Sequence, residues 1–238
     1  MAADVLLGRA ESLWTGLADA PVAFRDGAFD VAVSPGSGLC PRGWAGVVRL
    51  GNAAIGTAPD ASTAELLSRG FSLTTGLVVG SRVPTLGPAT LAYCDPADFR
   101  PPDSGAVETL PAGHPDVVAF LAGAPADDVD ESGLAEITSP AFVRRAGADV
   151  VAAAGYRVWP GGAGHLSVLT APGARGRGLA RDVAGTAVAR VLDLGLLPQW
   201  RARPEASRRV ARALGFRELG FQVSVRLSPG ASRAAPCG

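Results

Sequence analysis

The sequence predicts an α/β (α+β) fold: a mixed sheet with flanking helices in the C-terminal part, preceded by a smaller α/β region. Three observations carry this. Asp149–Trp159 and His165–Thr170 are apolar-rich runs joined by Pro160-Gly161-Gly162-Ala163-Gly164, whose turn residues read as an antiparallel hairpin. Leu179, Val183, Ala187, Val191 and Leu194 recur at spacings of three and four, the apolar stripe of a helix from Leu179 to Leu194. Phe221, Val223, Val225 and Leu227 alternate with Gln222, Ser224 and Arg226, as a half-buried antiparallel strand does.

In chain order, residues 1–95 form the N-terminal α/β region. Its apolar runs are Val31-Ala32-Val33, Ala45-Gly46-Val47-Val48-Arg49-Leu50 and Leu91-Ala92-Tyr93, and Ser62-Thr63-Ala64-Glu65 has the capping-box pattern that starts a helix toward Gly70. Pro96, Pro101 and Pro102 mark residues 96–107 as a linker. The second domain spans 108–227, and residues 228–238 read as a flexible tail. Within that domain the strand at His165, the helix at Leu179 and an extended run near Gln199 make a right-handed βαβ crossover, so the two strands are parallel. Pro204 opens a last helix, Glu205 to Leu214, which Gly215 caps.

Composition narrows the function classes. The chain has 238 residues, 47% of them hydrophobic, enough for a packed core. No run is long enough to span a membrane, and Met1-Ala2-Ala3-Asp4 lacks the basic start of a signal peptide, so the expectation is a cytoplasmic protein with no membrane partner. Cys40, Cys94 and Cys237 are far apart and only two histidines occur, which suggests reduced thiols and no metal site. All 22 basic residues are Arg and none is Lys; with abundant Ala and Gly this reads as the GC-rich codon bias of a bacterial genome. The Arg count is therefore poor evidence for nucleic acid, which is not expected as a partner. Charge is nonetheless uneven: Asp95 to Asp149 holds eleven acidic residues against three Arg, and Thr170 to Leu227 eleven Arg against four acidic residues. Such a separation suits an enzyme that holds a polyanion beside a cationic amine; solvated faces would look the same.

The chemistry concentrates at Arg175-Gly176-Arg177-Gly178-Leu179-Ala180, a turn between the strand at His165–Thr170 and the following helix. The first amides of a helix have no intrahelical partner and the macrodipole is positive there, so an anion is the natural occupant. Gly176 and Gly178 let it approach the main chain closely.

At these residues the chain resembles the GNAT superfamily of N-acetyltransferases: Arg175-x-x-Gly178-x-Ala180 matches the R/Q-x-x-G-x-G/A signature, and the extended Pro198–Arg203, the helix ending Leu214-Gly215-Phe216 and a final strand come after it in the family's order. The match is good from about Asp149 to Leu227; the N-terminal region is either a degenerate GNAT-like half or a separate module. The resemblance implies a twisted mixed sheet and acetyl-CoA as cosubstrate. It implies a pyrophosphate held by Arg175, Gly176, Arg177, Gly178, Leu179, Ala180 and Arg181. The pantetheine arm would enter between splayed strands against the main chain of Val168, Leu169 and Thr170, with an amide near Leu169 as oxyanion donor, and Ser207 would cap its helix or touch the cofactor. It places the segment from Asp130 to Ile137 over the acceptor, which makes Glu131 and Glu136 candidate bases beside His165. Each of the three also reads as an ordinary polar residue: a strand edge for His165, a solvated helix face for the carboxylates. Where many members have Asn and a Tyr acid, this chain has Pro204 and Ala211. The expected activity is direct acetyl transfer in a ternary complex to a small-molecule or peptide amine, by a monomer or homodimer. A non-catalytic acetyl-CoA-binding sensor or relic is the alternative.

Overall fold

The computed structural model describes residues 4–74, 76–77, 83–103 and 107–227. The tail expected at 228–238, with Cys237, lies outside the described residues. In chain order the elements are α1 (Val5–Ala18), β1 (Phe29–Val33), β2 (Ala45–Leu50), β3 (Ala53–Ala58), α2 (Ala61–Gly70), β4 (Phe71–Ser72), β5 (Gly76–Leu77), β6 (Thr85–Tyr93), β7 (Glu108–Leu110), α3 (Pro115–Gly123), α4 (Ala126–Ser132), a 3-10 turn (Leu134–Glu136), β8 (Ala141–Ala146), β9 (Asp149–Trp159), β10 (Ala163–Thr170), a second 3-10 turn (Pro172–Ala174), α5 (Leu179–Asp193), β11 (Leu197–Ala202), α6 (Glu205–Ala213) and β12 (Arg217–Val225). The predicted class, α/β with mixed sheets and flanking helices, holds. The chain divides into two units: residues up to Leu91 with those from Leu219 onward, and Ala92–Glu218.

In the first unit the strand order is β1-β3-β2-β12-β6, with β1 and β3 parallel. α1 stands where the sequence pattern predicts no element. Asp4 caps it by accepting from the Leu6 and Leu7 amides, and Leu6, Ala10, Leu13, Trp14 and Ala18 form its buried stripe. The cap of α2 is Asp60, which accepts from Thr63 N (2.8 Å) and from Ser62 Oγ (2.6 Å), so Ser62 lies inside the helix it was expected to cap. These bonds hold the Asp60 carboxyl below the usual carboxylate range. The last four residues of β12 are buried on both faces: Gln222 and Ser224 are enclosed together with Val223 and Val225, and Gln222 Nε2 donates to the Leu39 carbonyl. Its pairing with β2, from Gly220↔Leu50 to Val225↔Ala45, moves the boundary expected at Leu227 back to Leu219.

The second unit has strand order β11-β10-β9-β8-β7. The hairpin expected at residues 149–170 is β9 and β10, in register from Ala163↔Trp159 to Thr170↔Ala152, with Gly161 and Gly162 turning at φ 86° and 80°. α5 covers one face and buries Leu179, Val183, Ala184, Ala187, Val188 and Val191 against Ala154, Tyr156, Leu166 and Trp200. The approach is close: a Cβ on Gly164 would lie 2.6 Å from Val191 Cγ1. α3 and the Leu134–Glu136 turn pack on the other face, where Val117, Phe120, Leu134 and Ile137 meet Ala141, Val143, Ala153 and Leu169. Leu194, read as the end of the α5 stripe, is 49% exposed, because the helix stops at Asp193.

Two further expectations change. Residues 95–103 are not a free linker: Arg100 N donates to Leu214 O (3.0 Å), Phe99 packs on the α5 core, and Pro102 sits so close to Gly185 that a Cβ there would meet it at 2.4 Å. Pro204 is the N-cap of α6 and not its first residue, and Leu214 is the C-cap, with Gly215 next at φ 94°.

Ala211, at the position of the Tyr acid of the family it resembles, is 2% exposed within the α5 core beside Leu214 and Phe216. A phenol ring there has no room. Ala211→Tyr is expected to lower stability by about 1–3 kcal/mol through overpacking, read as a lower denaturant midpoint; an unchanged midpoint would place the side chain in open space.

Candidate active site

β10 and β11 run parallel but pair over only three positions, Ala163↔Leu197, Gly164↔Pro198 and His165↔Gln199. β10 continues five residues beyond, to Thr170, and on that side the strands part. Strand alternation decides which main-chain groups face the gap. Leu197 N donates to Gly162 O (2.9 Å), so the even-numbered residues of β10 turn toward β11, while Ala171 N donates to Val151 O (2.9 Å), so the odd-numbered ones turn toward β9. Leu166 N–H closes the ladder on Gln199 O, and beyond it the Leu166 C=O, the N–H and C=O of Val168 and the Thr170 N–H line the gap. Of the amides near Leu169, where the oxyanion donor is expected, that of Leu169 lies on the β9 side, with its side chain buried against α3, and that of Val168 faces the gap.

Past Thr170 the chain makes the Pro172–Ala174 turn and reaches the glycine loop. Gly176 (φ 75°) and Gly178 (φ 79°) both take left-handed conformations, and an ideal Cβ at either has nothing within 4 Å. Gly178 is the N-cap of α5 and offers no side chain, so the first intrahelical bonds are Arg181 N and Asp182 N onto Gly178 O, at 2.9 and 3.2 Å. The amides before them face a positive helix end without a side-chain cap. Arg177 is exposed, Ala180 is partly exposed and Leu179 anchors the loop in the core. Arg181 Nε and Thr170 Oγ1 are buried without a hydrogen-bond partner. Arg175 is engaged: its Nε donates to Thr170 O (3.3 Å) and its guanidinium pairs with Asp128 of α4 (2.6 Å). Ser207, expected near the cofactor, accepts a bond from Trp200 Nε1 (3.0 Å) and so orients that indole.

On the face away from α5, β10 carries His165, Ser167 and Leu169, and β11 carries Gln199 and Arg201. His165 stacks on Trp159 (ring centroids 4.4 Å apart, planes at 22°), and its Nδ1 bonds Gln199 Oε1 (2.8 Å). Burial, with Arg201 and Arg157 nearby, pushes the imidazole down to about 4 against the opposing effect of Gln199. At neutral pH His165 is uncharged and weakly basic, a poor proton acceptor for an ammonium group. Gln199 is fully buried, and its Nε2 has no partner.

The α4 segment crosses this face. Glu131 pairs with Arg203, Glu136 with Arg157 (2.8 Å), and Ser167 Oγ donates to Gly133 O (3.2 Å). Glu131 has 29% of its side chain exposed and Glu136 68%. Both carboxylates thus stand near Arg201, but each already holds a guanidinium. Asp128, Arg157, Gln199, Arg201 and Arg203 are site residues that sequence reasoning did not single out. The loop, the gap and this face lie in one unit, Ala92–Glu218.

Residues 133–220 match the family model described as GNAT acetyltransferase. No curated protein matches the chain. Among solved structures, the chain is similar to a GNAT-family protein of Novosphingobium aromaticivorans at 22% identity, covering 62% of this chain and 67% of that one with a TM-score of 0.49. An acetyltransferase from the GNAT family of Colwellia psychrerythraea gives 17%, 60%, 56% and 0.46, and a GCN5-related N-acetyltransferase of Kribbella flavida 17%, 60%, 59% and 0.48. The chain spans about two thirds or less of each of these three.

Because His165 is held neutral in the fold and titrates near 6.5 when unfolded, the unfolded chain binds the extra proton between those values. The His165 contribution to stability is therefore complete above about pH 6.5 and is lost as pH falls toward about 4. NMR of the imidazole is expected to give a midpoint near 4; a midpoint near 6.5 would contradict this burial.

Proposed function

We propose that this chain, a member of the GNAT superfamily through residues 133–220, transfers an acetyl group from acetyl-CoA to a primary amine, directly and in a ternary complex. The observation that carries the reading is the continuity of two features: a glycine loop at the N-terminus of α5, and a stretch of β10 beyond its last pair with β11, with Val168 main chain toward the gap, that leads up to it.

The residues present fit a CoA thioester. Gly176 and Gly178 leave open space beside uncapped amides, Arg177 and Arg181 add positive charge, and the Thr170 hydroxyl lacks a partner. Acetyl-CoA, when bound, supplies the activated carbonyl. The chain supplies the rest. Val168 N–H, fixed in a strand and facing the gap, is the donor toward developing negative charge on the carbonyl oxygen, and it needs no reorganisation to act. Glu131 or Glu136 takes the amine proton, directly or through water; His165, neutral and bonded to Gln199, positions Gln199 and Trp159 instead. No phenol stands at Ala211, so the departing thiolate, with a thiol pKa of about 8.5, is protonated by water.

A non-catalytic binder is the second reading, favoured by one observation: Ala211 is core, so no acid group replaces the missing Tyr from that position.

Gly178→Asp adds a side chain at φ 79° and a negative charge to the loop, and is expected to weaken acetyl-CoA binding by at least about 2 kcal/mol in calorimetry. Unchanged affinity in the folded variant would remove the loop from the site. Steady amine-dependent release of CoA by the wild-type protein separates enzyme from binder. In an enzyme, Glu131→Gln or Glu136→Gln is expected to cost about a hundredfold in turnover with acetyl-CoA binding intact; full activity in both would pass the proton to bulk water.

A further inference from the structure

We infer that the Arg175–Asp128 ion pair is a strap across the loop end of the gap, and that the cofactor opens it by taking Arg175 from Asp128. The inference rests on the acetyl-transfer reading and adds an autoinhibitory contact to that same site.

Arg175 opens the glycine loop, and its side chain spans two elements. Its Nε donates to Thr170 O at the end of β10 (3.3 Å), and its guanidinium meets the Asp128 carboxylate on α4 at 2.6 Å. A cofactor with its phosphates at Gly176–Gly178 and its thioester at Val168 must pass Thr170, because β10 ends there. The strap therefore stands on that path. The pair is also partly in water, with 51% of the Arg175 side chain and 32% of the Asp128 side chain exposed, so an incoming anion can reach the guanidinium.

The exchange of partners favours phosphate. A partly exposed carboxylate–guanidinium pair holds weakly, whereas a phosphate accepts two guanidinium donors and meets the amides at the uncapped start of α5 as well. Asp128 reaches only the guanidinium. With a phosphate seated on Arg175, a carboxylate on the same group would face a like charge at close range, so Asp128 returns to water.

α4 is built to give way when that happens. None of its seven residues is fully buried, although Val129 packs partly on the α3 side, and its N-cap, Pro125, offers no side-chain bond. Its ties are largely polar: Asp128 to Arg175, Glu131 to Arg203 and, just past its end, Gly133 O to Ser167 Oγ (3.2 Å). Release of the first tie loosens the segment that carries Glu131, so occupancy of the loop is felt on the acceptor side.

The test is calorimetry of CoA and of inorganic pyrophosphate on wild type, Asp128→Asn, Arg175→Gln and the double variant. Asp128→Asn keeps the shape and removes the charge, and it is expected to tighten both ligands by about threefold or more, whereas damage to the fold would weaken them. Arg175→Gln should weaken both, and in its background Asp128→Asn should gain little. Amide hydrogen exchange of the wild type, which needs no variant, is expected to quicken at residues 129–132 of α4 when CoA is added. Unchanged or weaker binding in Asp128→Asn would overturn the inference, because the phosphates would then be held by the amides with Arg177 and Arg181 while the strap stays closed. An equal gain in the Arg175→Gln background would overturn it too, as would exchange at 129–132 that CoA leaves unchanged. If neither wild type nor Asp128→Asn binds CoA or pyrophosphate, the acetyl-transfer reading fails and takes the inference with it; if wild type binds and Asp128→Asn gains nothing, the inference fails alone. Binding by Asp128→Asn where wild type shows none would support it.

Discussion

The site depends on the parting of two parallel strands after three residue pairs. A parallel pair ordinarily satisfies the main-chain groups on its facing edges, and a strand that leaves its neighbour exposes those groups to whatever fills the gap. Here the separation begins after His165 and Gln199, whose side chains bond across the seam at the point where the backbones last meet. The crossover helix is held hard against β10 at Gly164 and against the chain at Gly185, so the gap is not closed by movement of α5. Strand geometry then sets the site: Val168 faces the opening because it lies an even number of residues from Gly162, and the glycine loop lies beyond because β10 leads into it.

Charge organises the face opposite α5. Acidic residues concentrated at 95–149 and arginines concentrated beyond 157 come together in space as ion pairs: Asp128 with Arg175, Glu131 with Arg203 and Glu136 with Arg157, while Glu108 and Asp116 share Arg145. Each partly exposed pair is worth little by itself, roughly 0–1 kcal/mol. The first three join α4 and the 3-10 turn after it to the glycine loop, to β9 and to the chain after β11, so together they fix where Glu131 and Glu136 stand. On the proposed reading, a pyrophosphate at the loop competes with Asp128 for the Arg175 guanidinium, which couples occupancy of the loop to the position of α4.

The sequence is most legible where a local rule suffices. The hairpin turn at Pro160–Gly164, the buried stripe of α5 and the glycine loop at its start are each set by nearby residues, and each is found in the structure. α1 obeys local rules too, since Leu6, Ala10, Leu13 and Trp14 keep helical spacing behind the Asp4 cap, but Gly8 and Gly16 inside it weaken the helical signal. The remainder depends on partners distant in sequence. Proline-rich residues 95–103 look like a linker until Leu214, Gly215 and Gly185 pack against them. Gln222 looks solvent-facing until the Leu39 carbonyl receives it. The choice between Leu169 and Val168 requires knowing which strand lies on each side of β10, and no spacing within the chain reveals that. Arg201 is one of 22 arginines in a chain without lysine, so composition hides it and only its place at the seam brings it forward.

The central claim, that the main chain of β10 beyond His165 is open to receive the acyl donor, is tested most directly by residue-resolved amide hydrogen exchange with and without acetyl-CoA. The amide of Val168 should exchange quickly in the free protein and become protected when acetyl-CoA binds, while Leu166, the last ladder donor to β11, and Leu169, bonded toward β9, stay protected in both states. Strong protection of Val168 in the free protein, or protection by ligand at Leu169 and not at Val168, would contradict the account.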